Sequence, residues 1–399
     1  QNHREVGQRL FWCLLAEMND PRSTPRFSIL LKAYYDNCGF FQETLSKQFD
    51  IQTFLKNIAC NVVNQKFTNK GERVKFCQRE LENLNRLLPE EFNVCLDPTL
   101  VATHLQSKKC KVMNSRKKPL WLQFSNTDRK ECGGKPILVM FKSGDDLRQD
   151  QMTLQLLRFM DNIWLDNGLN LKLTPYQCVS SGEQVGMLEL VTNADTTANI
   201  QKQHGGKLGA LNKNSLKQWL DENNPDVFKN AKAVETFVHS CAGYCVATYV
   251  LGIGDRHSDN IMISKEGHLF HIDFGHFLGH FKSKFGVKRE RTAFVFTKEM
   301  AFVMGGKGNE NYENFVKLCC RAYNCVRAHG DELINLFRLM IPAGMPELVD
   351  DDCIAYLAQK LCLSHTDEDA AEIFKKEINT CLADVYRRID NLIHNWKVS

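Results

Sequence analysis

The hydrophobic pattern of this chain changes character near residue 193, and this change limits the folds that the sequence can adopt. Before it, short strand-like apolar runs occur at 120–124, 137–141 and 187–191. After it, long stretches with the 3.6-residue period of helices dominate, and one β-hairpin pattern at 261–273 interrupts them. We therefore predict an α+β chain of two lobes, a small mixed lobe followed by a larger, mostly helical lobe.

Helical patterns also open the chain. Residues 1–37 carry one apolar helical face, which Pro21 and Pro25 punctuate, and this segment is predicted to be the end of a helical domain. The predicted domains are the end of a helical domain at 1–37, the small lobe at 38–193 and the large lobe at 194–399. Further helices are predicted at 55–88, 149–167, 214–223, 231–251, 311–327, 331–340, 351–361 and 367–395.

Composition places the chain among ordinary globular proteins, with 43% hydrophobic and 25% charged residues. The formal net charge of +4 is too small to point to a nucleic-acid partner. The 16 cysteines are scattered without a CxxC pair, which favours reduced thiols in the cytosol over disulfides or a zinc site.

Neither a signal peptide nor a transmembrane span is predicted. The most apolar run, 233–253, contains Glu235 and His239, so a buried helix is the better interpretation. Because the chain opens at Gln1 and not at Met, we interpret it as a piece of a longer protein.

The stretch that carries chemistry is Gly-Asp-Arg-His-Ser-Asp-Asn at 254–260, followed by His-Ile-Asp-Phe-Gly-His at 271–276. In protein kinases, Mg²⁺ is held by an Asn five residues after the catalytic-loop Asp and by the Asp of Asp-Phe-Gly. Asn260 stands five residues after Asp255, and Asp273 opens an Asp-Phe-Gly. We therefore assign Asn260 and Asp273 to Mg²⁺. Ordinary turn chemistry is the alternative for each residue alone, but the combined spacing is specific.

The order Asp-Arg-His, together with the run 241–291, closely resembles the catalytic and activation loops of the phosphoinositide 3-kinase family, and within it class I. The resemblance extends over nearly the whole chain. It implies the two-lobed protein-kinase-like fold of PI3/PI4-kinases, preceded by the end of a helical domain. It also implies transfer of the γ-phosphoryl group of ATP to the 3-hydroxyl of the inositol ring of a membrane lipid.

The resemblance further assigns the proton-handling residues. It favours His276 as the general base and His257 as the group that stabilises charge developing on phosphate. Asp255 stays a third candidate for the base, and a structural histidine remains the alternative in each case.

An ATP site is implied in the same way. Lys142 ends a strand and would contact the phosphates as a point charge, and the polar loop 113–119 would bind phosphate through Ser115 and backbone N–H groups. The residues at 189–191 would form the hinge for adenine. The implied ATP-binding residues are Met113, Ser115, Lys142, Asp150, Tyr176, Glu189, Leu190, Val191, Met262 and Ile272. Taken singly, most of them fit plain core or loop positions better, and only their registration with the motifs favours a nucleotide site.

The segment after Asp-Phe-Gly is basic, and residues 276–293 carry a net charge of +4 from five cations and one acid. The predicted head-group residues are Lys117, Lys282, Lys284, Lys288 and Arg289. Two such basic clusters can contact two separated phosphates on one head group. The resemblance to class I enzymes, which carry such clusters, implies phosphatidylinositol 4,5-bisphosphate as the substrate and the 3,4,5-trisphosphate as the product. A solvated basic loop is the alternative interpretation of 282–289.

Other functions stay open at this point. The segment 318–323 looks nearer to class II enzymes, which would use phosphatidylinositol or its 4-phosphate. A related protein Ser/Thr kinase and a non-catalytic kinase fold are further alternatives. The helix predicted at 384–396 fits a membrane-surface helix or a helix packed on its lobe.

The expected cofactors are ATP and Mg²⁺, for which Mn²⁺ can substitute. A phosphoinositide membrane lipid is the expected partner. An SH2-containing regulatory subunit and a Ras-type GTPase are expected to bind through domains absent from this sequence. The expected location is the cytoplasm, with recruitment to the inner face of the plasma membrane.

Overall fold

The computed structural model describes residues 3–19, 21, 23–127, 134–206, 212–279, 283–284, 287–288 and 292–383. The chain forms two compact units. The first unit comprises Gln1–Leu154 and Tyr176–Val191, and the second comprises Gln155–Pro175 and Thr192–Ser399. Residues 155–175, which we predicted within the small lobe, thus group with the helical unit. The separate helical domain predicted at 1–37 stays a prediction.

The helices are α1 (Arg4–Ala16), α2 (Thr24–Asn37), α3 (Phe41–Asn64), α4 (Lys70–Asn85), α5 (Arg148–Asp166), α6 (Thr197–Gly205), α7 (Ser215–Asn223), α8 (Val227–Val250), α9 (Lys298–Val303), α10 (Glu310–Ala328), α11 (Gly330–Met340), α12 (Asp351–Leu361) and α13 (Asp367–Ala383). The strands are β1 (Phe92–Asn93), β2 (Val101–Leu105), β3 (Lys111–Val112), β4 (Leu120–Asn126), β5 (Ile137–Ser143), β6 (Cys178–Gly182), β7 (Val185–Glu189), β8 (Ala194–Thr196), β9 (Ile261–Ser264), β10 (Leu269–His271), β11 (Ser283–Lys284) and β12 (Val287–Lys288).

The first unit is built on a seven-stranded antiparallel sheet in the order β1-β2-β4-β5-β7-β6, with β3 paired to β4. Strand β5 is central, because β4 and β7 flank it. The predicted strands at 120–124 and 137–141 are confirmed, whereas 187–191 lies two residues too late. The short strands β2 and β6 were not predicted, because Val-Ala-Thr-His-Leu and Cys-Val-Ser-Ser-Gly show little apolar alternation.

The helix predicted at 55–88 is two helices, α3 and α4. Asn69 begins the second helix, because its side chain accepts a hydrogen bond from the N–H of Glu72. The carboxylate of Glu72 in turn accepts from the N–H of Thr68 at 2.7 Å. This reciprocal cap satisfies orphan N–H groups at the start of α4, which explains the break in the predicted helix.

The core of the first unit lies between the sheet and helices α1, α3 and α4. Leu55 of α3 and Leu81 of α4 are fully buried with Leu122 and Val139 from the central strands. Burial of each such side chain stabilises the fold by roughly 1.5–3 kcal/mol. This packing holds β5, which carries the predicted site residue Lys142, on a rigid base.

The second unit is mostly helical and is organised around α8. This helix is buried at almost every position from Phe237 to Val250, and it packs against α10. At its C-terminal end, Tyr249 contacts the rings of Phe294, Tyr323 and Phe374, with ring centroids 5.1–6.1 Å apart. This aromatic cluster fixes the end of α8 directly before the Asp-Arg-His segment.

The predicted hairpin at 261–273 is confirmed as β9 and β10, and β8 adds a third strand. Gly267 in its turn has φ of +92°, and a Cβ there would lie 2.0 Å from the backbone oxygen of Ala233. Only glycine allows this approach of the hairpin to α8. The N–H of Leu269 also donates to the Ser240 hydroxyl at 2.9 Å, so the hairpin is anchored on α8.

The cysteines among the described residues are free thiols. Burial raises the pKa of the Cys77 thiol to about 12. No described helix combines the length and apolar character needed to cross a bilayer. Helix α13 is described to Ala383, so the helix predicted at 384–396 lies outside the described residues.

Candidate active site

The loop at 251–260, between α8 and β9, is paired with the segment that follows Asp-Phe-Gly. The N–H of Gly254 donates to the backbone oxygen of His276 at 2.9 Å. The N–H of Leu278 donates to the backbone oxygen of Leu251 at 2.8 Å. The two motifs singled out in the sequence are therefore neighbours in the second unit.

Two residues of these motifs have left-handed backbone conformations. Asp255 has φ of +53° and Asp273 has φ of +61°. Such conformations cost a residue with a side chain roughly 1–2 kcal/mol, and they persist only where the surroundings enforce them. Strain of this kind concentrates at functional sites, which agrees with the roles predicted for both aspartates.

The side chain of Arg256, which lies between the candidate residues Asp255 and His257 in the sequence, holds both segments in place. Its buried guanidinium donates to the backbone oxygen of Gly254 at 2.9 Å and to that of Ile272 at 2.7 Å. It also donates to the backbone oxygen of Asp273. One side chain thus ties the Asp-Arg-His loop to the Asp-Phe-Gly segment. Because guanidinium is planar and offers five donors, lysine cannot reproduce this arrangement.

Asn260 is held at both ends of its amide. Its Oδ1 accepts from the N–H of His257 at 2.9 Å, and its Nδ2 donates to the backbone oxygen of Asp255 at 2.7 Å. The N–H of Ile272 donates to the backbone oxygen of Asn260 at 3.0 Å. Asn260 is therefore fixed beside the strand end that leads into Asp273.

These two residues fit a magnesium ion. The Asp273 carboxylate is exposed, and it has no hydrogen bond or ion pair within the described part of the chain. Oδ1 of Asn260 keeps a second lone pair beyond its bond to His257. Hard oxygen donors of this kind are what Mg²⁺ takes in phosphoryl-transfer sites, so Asn260 and Asp273 would hold the ion.

The two candidate histidines differ in hydrogen bonding. Nδ1 of His257 accepts from the N–H of Asp259 at 3.3 Å, which places the proton of the neutral ring on Nε2. Nδ1 of His276 instead pairs with the Oε1 atom of Glu347. A carboxylate accepts, so Nδ1 of His276 carries the proton and its Nε2 keeps a lone pair. The ring of His276 thus has a carboxylate against its Nδ1, and its role as general base stays a prediction.

The predicted phosphate lysine lies on β5 in the first unit. Lys142 is largely buried, and its Nζ is 4.0 Å from Oδ2 of Asp145. The predicted phosphate loop joins β3 to β4, with a turn closed by the N–H of Lys118 on the backbone oxygen of Ser115 at 3.1 Å. The Nζ of Lys117 donates to the backbone oxygen of Gly144 at 2.6 Å. This bond brings the loop beside the end of β5.

The turn after β5 is held by an ion pair. Arg148 Nη2 lies 2.8 Å from Oδ2 of Asp146, and Arg148 Nε lies 3.1 Å from Oδ1. Burial alone would raise the pKa of the Asp146 carboxyl, but the hydrogen bonds and charge of Arg148 outweigh burial and hold this pKa below its ordinary value. Asp150 follows in the first turn of α5 and is buried.

Two of the three backbone N–H groups of the predicted hinge, residues 189–191, are hydrogen-bonded within the first unit. The N–H of Glu189 donates to the backbone oxygen of Gln177 at 2.9 Å, and that of Leu190 donates to Leu138 at 3.1 Å. The backbone N–H groups of Glu189 and Leu190 are thus used within the sheet, and contact of the 189–191 backbone with adenine stays a prediction. The N–H of Val191 has no hydrogen bond among the described residues, so of the three hinge N–H groups it is the one predicted to meet adenine.

The remaining predicted nucleotide residues fall into both units. Met113 is exposed and Tyr176 is buried in the first unit. Met262 and Ile272 are half-buried in the second unit. Strand register places them on one face of the hairpin, because Ile272 follows the pairing of Phe270 with Met262 by two residues.

Three residues that contribute to the site were not predicted. Arg256 was visible within its motif but carried no assigned role. Trp121 pairs in register with Met140, which lies two residues from Lys142, so Trp121 shares the lysine's face of the sheet. Glu347 lies 71 residues from His276, and no local signal connects them.

The predicted head-group residues are described in part. Lys284 lies on β11 and Lys288 on β12, and these strands pair antiparallel. Lys282 and Arg289 lie outside the described residues. Contact of this cluster with a lipid stays a prediction.

The two units together define a class of protein. A small antiparallel-sheet unit carries a strand lysine, and a mostly helical unit carries linked Asp-Arg-His and Asp-Phe-Gly segments, as in kinase-type phosphotransferases. The sequence profile of the family "Phosphatidylinositol 3- and 4-kinase" matches residues 136–350, more than half of the chain. The chain belongs to this family, and the predicted fold class is confirmed.

Several similar proteins come from Dictyostelium discoideum. Phosphatidylinositol 3-kinase 2 is 46% identical over 396 residues, which cover 99% of this chain and 21% of that protein. Phosphatidylinositol 3-kinase 1 is 44% identical over 394 residues, 98% of this chain and 25% of that protein. Phosphatidylinositol 3-kinase 3 is 40% identical over 395 residues, 99% of this chain and 23% of that protein. The chain thus spans about a fifth to a quarter of the length of these curated relatives.

Proposed function

We propose that this chain is the catalytic region of a phosphatidylinositol 3-kinase, which transfers the γ-phosphoryl group of ATP to the 3-hydroxyl of an inositol lipid. The observation that carries the proposal is the Arg256 guanidinium, which ties the predicted catalytic loop to the Asp-Phe-Gly segment. Family membership and the names of the similar Dictyostelium proteins support the choice of acceptor.

The chain's own residues have separate tasks in this reaction. Nε2 of His276 takes the proton of the attacking hydroxyl as the oxygen–phosphorus bond forms, and the bond to ADP breaks. His257 donates from Nε2 to the transferred phosphoryl group, and Lys142 neutralises phosphate charge. Asn260 and Asp273 would hold Mg²⁺, which would supply charge neutralisation at the phosphates when bound.

We propose phosphatidylinositol 4,5-bisphosphate as the lipid, which would make the enzyme class I. The support is the basic segment at 282–289, of which Lys284 and Lys288 lie on paired strands. Two neighbouring clusters of positive charge suit two separated phosphates on one head group. The enzyme would work at the inner face of the plasma membrane, recruited from the cytoplasm. An SH2-containing regulatory subunit and a Ras-type GTPase would act through other domains.

The test is turnover of ATP with liposomes that contain phosphatidylinositol, its 4-phosphate or its 4,5-bisphosphate, with the position of the new phosphate determined. We expect phosphorylation of the bisphosphate at the 3-hydroxyl. Activity restricted to the other two lipids would indicate a class II enzyme. Transfer to protein and not to any lipid would indicate a related protein kinase.

A variant pair tests the head-group assignment. Lys288→Ala with Arg289→Ala should reduce kcat/KM for the bisphosphate about 30-fold, because each charge near an anionic head group contributes about 1 kcal/mol. Use of phosphatidylinositol should change much less. The matched control is Lys229→Ala with Lys232→Ala, which removes two exposed lysines from α8. Equal losses on both lipids would contradict the assignment.

A further inference from the structure

We propose that Glu347 is a positioning residue that holds His276 in the tautomer and orientation of a general base. This inference rests on the proposed function only in naming the reaction that the base serves. It concerns a residue outside both sequence motifs, in the connection between α11 and α12.

Both oxygens of the Glu347 carboxylate are engaged at one place. Oε1 pairs with Nδ1 of His276, and Oε2 accepts from the N–H of Phe277 at 2.7 Å. The carboxylate thus contacts both the His276 ring and the backbone N–H of Phe277, the next residue. Two bonds of fixed direction leave the His276 ring little freedom to rotate.

The connection that carries Glu347 is itself anchored. Met345 and Leu348 form an isolated β-bridge around it, and both side chains are buried. Two residues further on, Asp350 caps α12 by accepting from the N–H groups of Asp352 and Cys353 at 3.1 and 3.3 Å. The carboxylate is 13% exposed and the His276 side chain 29% exposed, so Glu347 lies behind a ring that solvent can reach. This is the arrangement expected for a group that acts through another.

The chemical consequence follows from the tautomer. An acceptor on Nδ1 fixes the proton there and leaves Nε2 unprotonated, ready to receive the proton of the acceptor hydroxyl. Once His276 is protonated, the neighbouring carboxylate stabilises the imidazolium without taking the proton itself. A base oriented by a third group is a recurring arrangement in enzymes, and here the third group lies 71 residues away in the chain.

The test is Glu347→Gln in the whole chain. The glutamine keeps the size of the side chain and an acceptor for Phe277, but its amide can donate to Nδ1 and favour the wrong tautomer. We expect kcat to fall at least about 100-fold with KM for ATP unchanged. In the His276→Asn background, the same substitution should change kcat less than about threefold, because its target is gone.

The matched control is Glu332→Gln. Glu332 pairs with Nδ1 of His329 at 3.1 Å, but this pair is exposed on α11 and belongs to no predicted site. Its kcat should stay at the wild-type value. If Glu347→Gln keeps kcat within threefold while wild type is active, the proposal is overturned.

A second measurement separates this proposal from the proposed function. The ¹⁵N chemical shifts of the His276 ring, assigned with His276→Asn, report which nitrogen carries the proton whether or not the lipid is a substrate. We expect a protonated Nδ1 in wild type and a change of tautomer in Glu347→Gln. Absence of lipid turnover in wild type would overturn the proposed function alone, and identical ring shifts in both proteins would overturn the role of Glu347.

Discussion

At the scale of single residues, Arg256 shows how one side chain organises two motifs. Its guanidinium is buried and satisfies three backbone oxygens, two of which lie in the Asp-Phe-Gly region. It also lies over the Phe274 ring, 5.6 Å from the centroid. A buried charge is costly unless it is fully hydrogen-bonded, and here the backbone provides the partners.

We expect Arg256→Met to lower the free energy of unfolding by at least about 3 kcal/mol, because three backbone carbonyls lose the donor that a buried side chain supplies. Arg256→Lys should be intermediate, since an ammonium cannot reach all three oxygens. Urea denaturation checks both variants. Arg9→Met is the control, because Arg9 makes only an exposed pair with Glu5 and should change stability by less than about 0.5 kcal/mol. A similar loss for Arg9 and Arg256 would contradict the assigned role.

A second residue-scale prediction concerns pH. The pKa of Asp146 is lowered in the folded state, so its pair with Arg148 stabilises the fold above the ordinary carboxyl pKa. That contribution is lost as pH falls below about 4, through the folded-state pKa. We therefore expect Asp146→Asn to be less stable than wild type at pH 7, and the gap to close in strong acid.

Urea titrations of both proteins at pH 7, 5, 4 and 3 measure this gap. Arg148→Met removes this pair from the other side, together with the ion pair of Arg148 with Glu17 at 3.7 Å, and its stability gap should also narrow in acid. A gap that stays constant across this range would exclude the ion pair as the source of the stability difference.

At the scale of elements, sequence patterns predicted most long helices to within a few residues. The helix predicted at 311–327 is α10 at Glu310–Ala328, and that predicted at 351–361 is α12 with those bounds. Such helices succeed because an apolar stripe of 3.6-residue period is a local property. Short strands such as β2 were not predicted, because pairing with neighbouring strands, and not an apolar pattern of their own, determines whether they form.

The hairpin that carries Met262 offers an element-scale prediction. Gly267→Ala should destabilise the protein by more than about 2 kcal/mol, because it adds backbone strain at φ of +92° and a clash 2.0 Å from Ala233. Gly344→Ala is the matched control, since Gly344 has φ of +64° with open space around its Cβ position. The control should lose only the strain, about 1 kcal/mol. Thermal unfolding of both variants distinguishes backbone strain from the clash. Equal losses of stability in the two variants would argue against close packing of the hairpin on α8.

At the scale of the whole molecule, nucleotide binding should appear as stability. A ligand that binds only the folded state at 100 times its Kd adds about 2.7 kcal/mol to the free energy of unfolding. We expect Mg-ATP to raise the unfolding midpoint and chelation of Mg²⁺ by EDTA to remove most of the increase. Asp273→Asn should show the same reduced increase in the presence of Mg²⁺.

Glu266→Gln is the control for this measurement, because Glu266 is an exposed acid in the hairpin turn. Its response to Mg-ATP should equal that of wild type. A full response in Asp273→Asn would mean that this carboxylate does not hold the metal.

The class of this protein is readable from local sequence motifs. Asp255, Asn260 and Asp273 lie within twenty residues, and their spacing is a property of the chain that no fold is needed to see. The lysine at the end of a strand and the alternation of strand and helix patterns are local in the same sense. The residues assigned to lipid, ATP and catalysis remain predictions, and the tests above address them.

The contacts that hold these residues become visible in the folded chain. Arg256 reaches the oxygens of Ile272 and Asp273, and Glu347 reaches His276 across 71 residues of chain. The N–H of Leu190 donates to the backbone oxygen of Leu138 on the central strand β5. Propensity and periodicity act over a few residues, whereas these contacts depend on the path of the folded backbone and on packing between distant segments. The sequence therefore predicts the reacting groups, whereas the tertiary structure is needed to see the contacts that hold them.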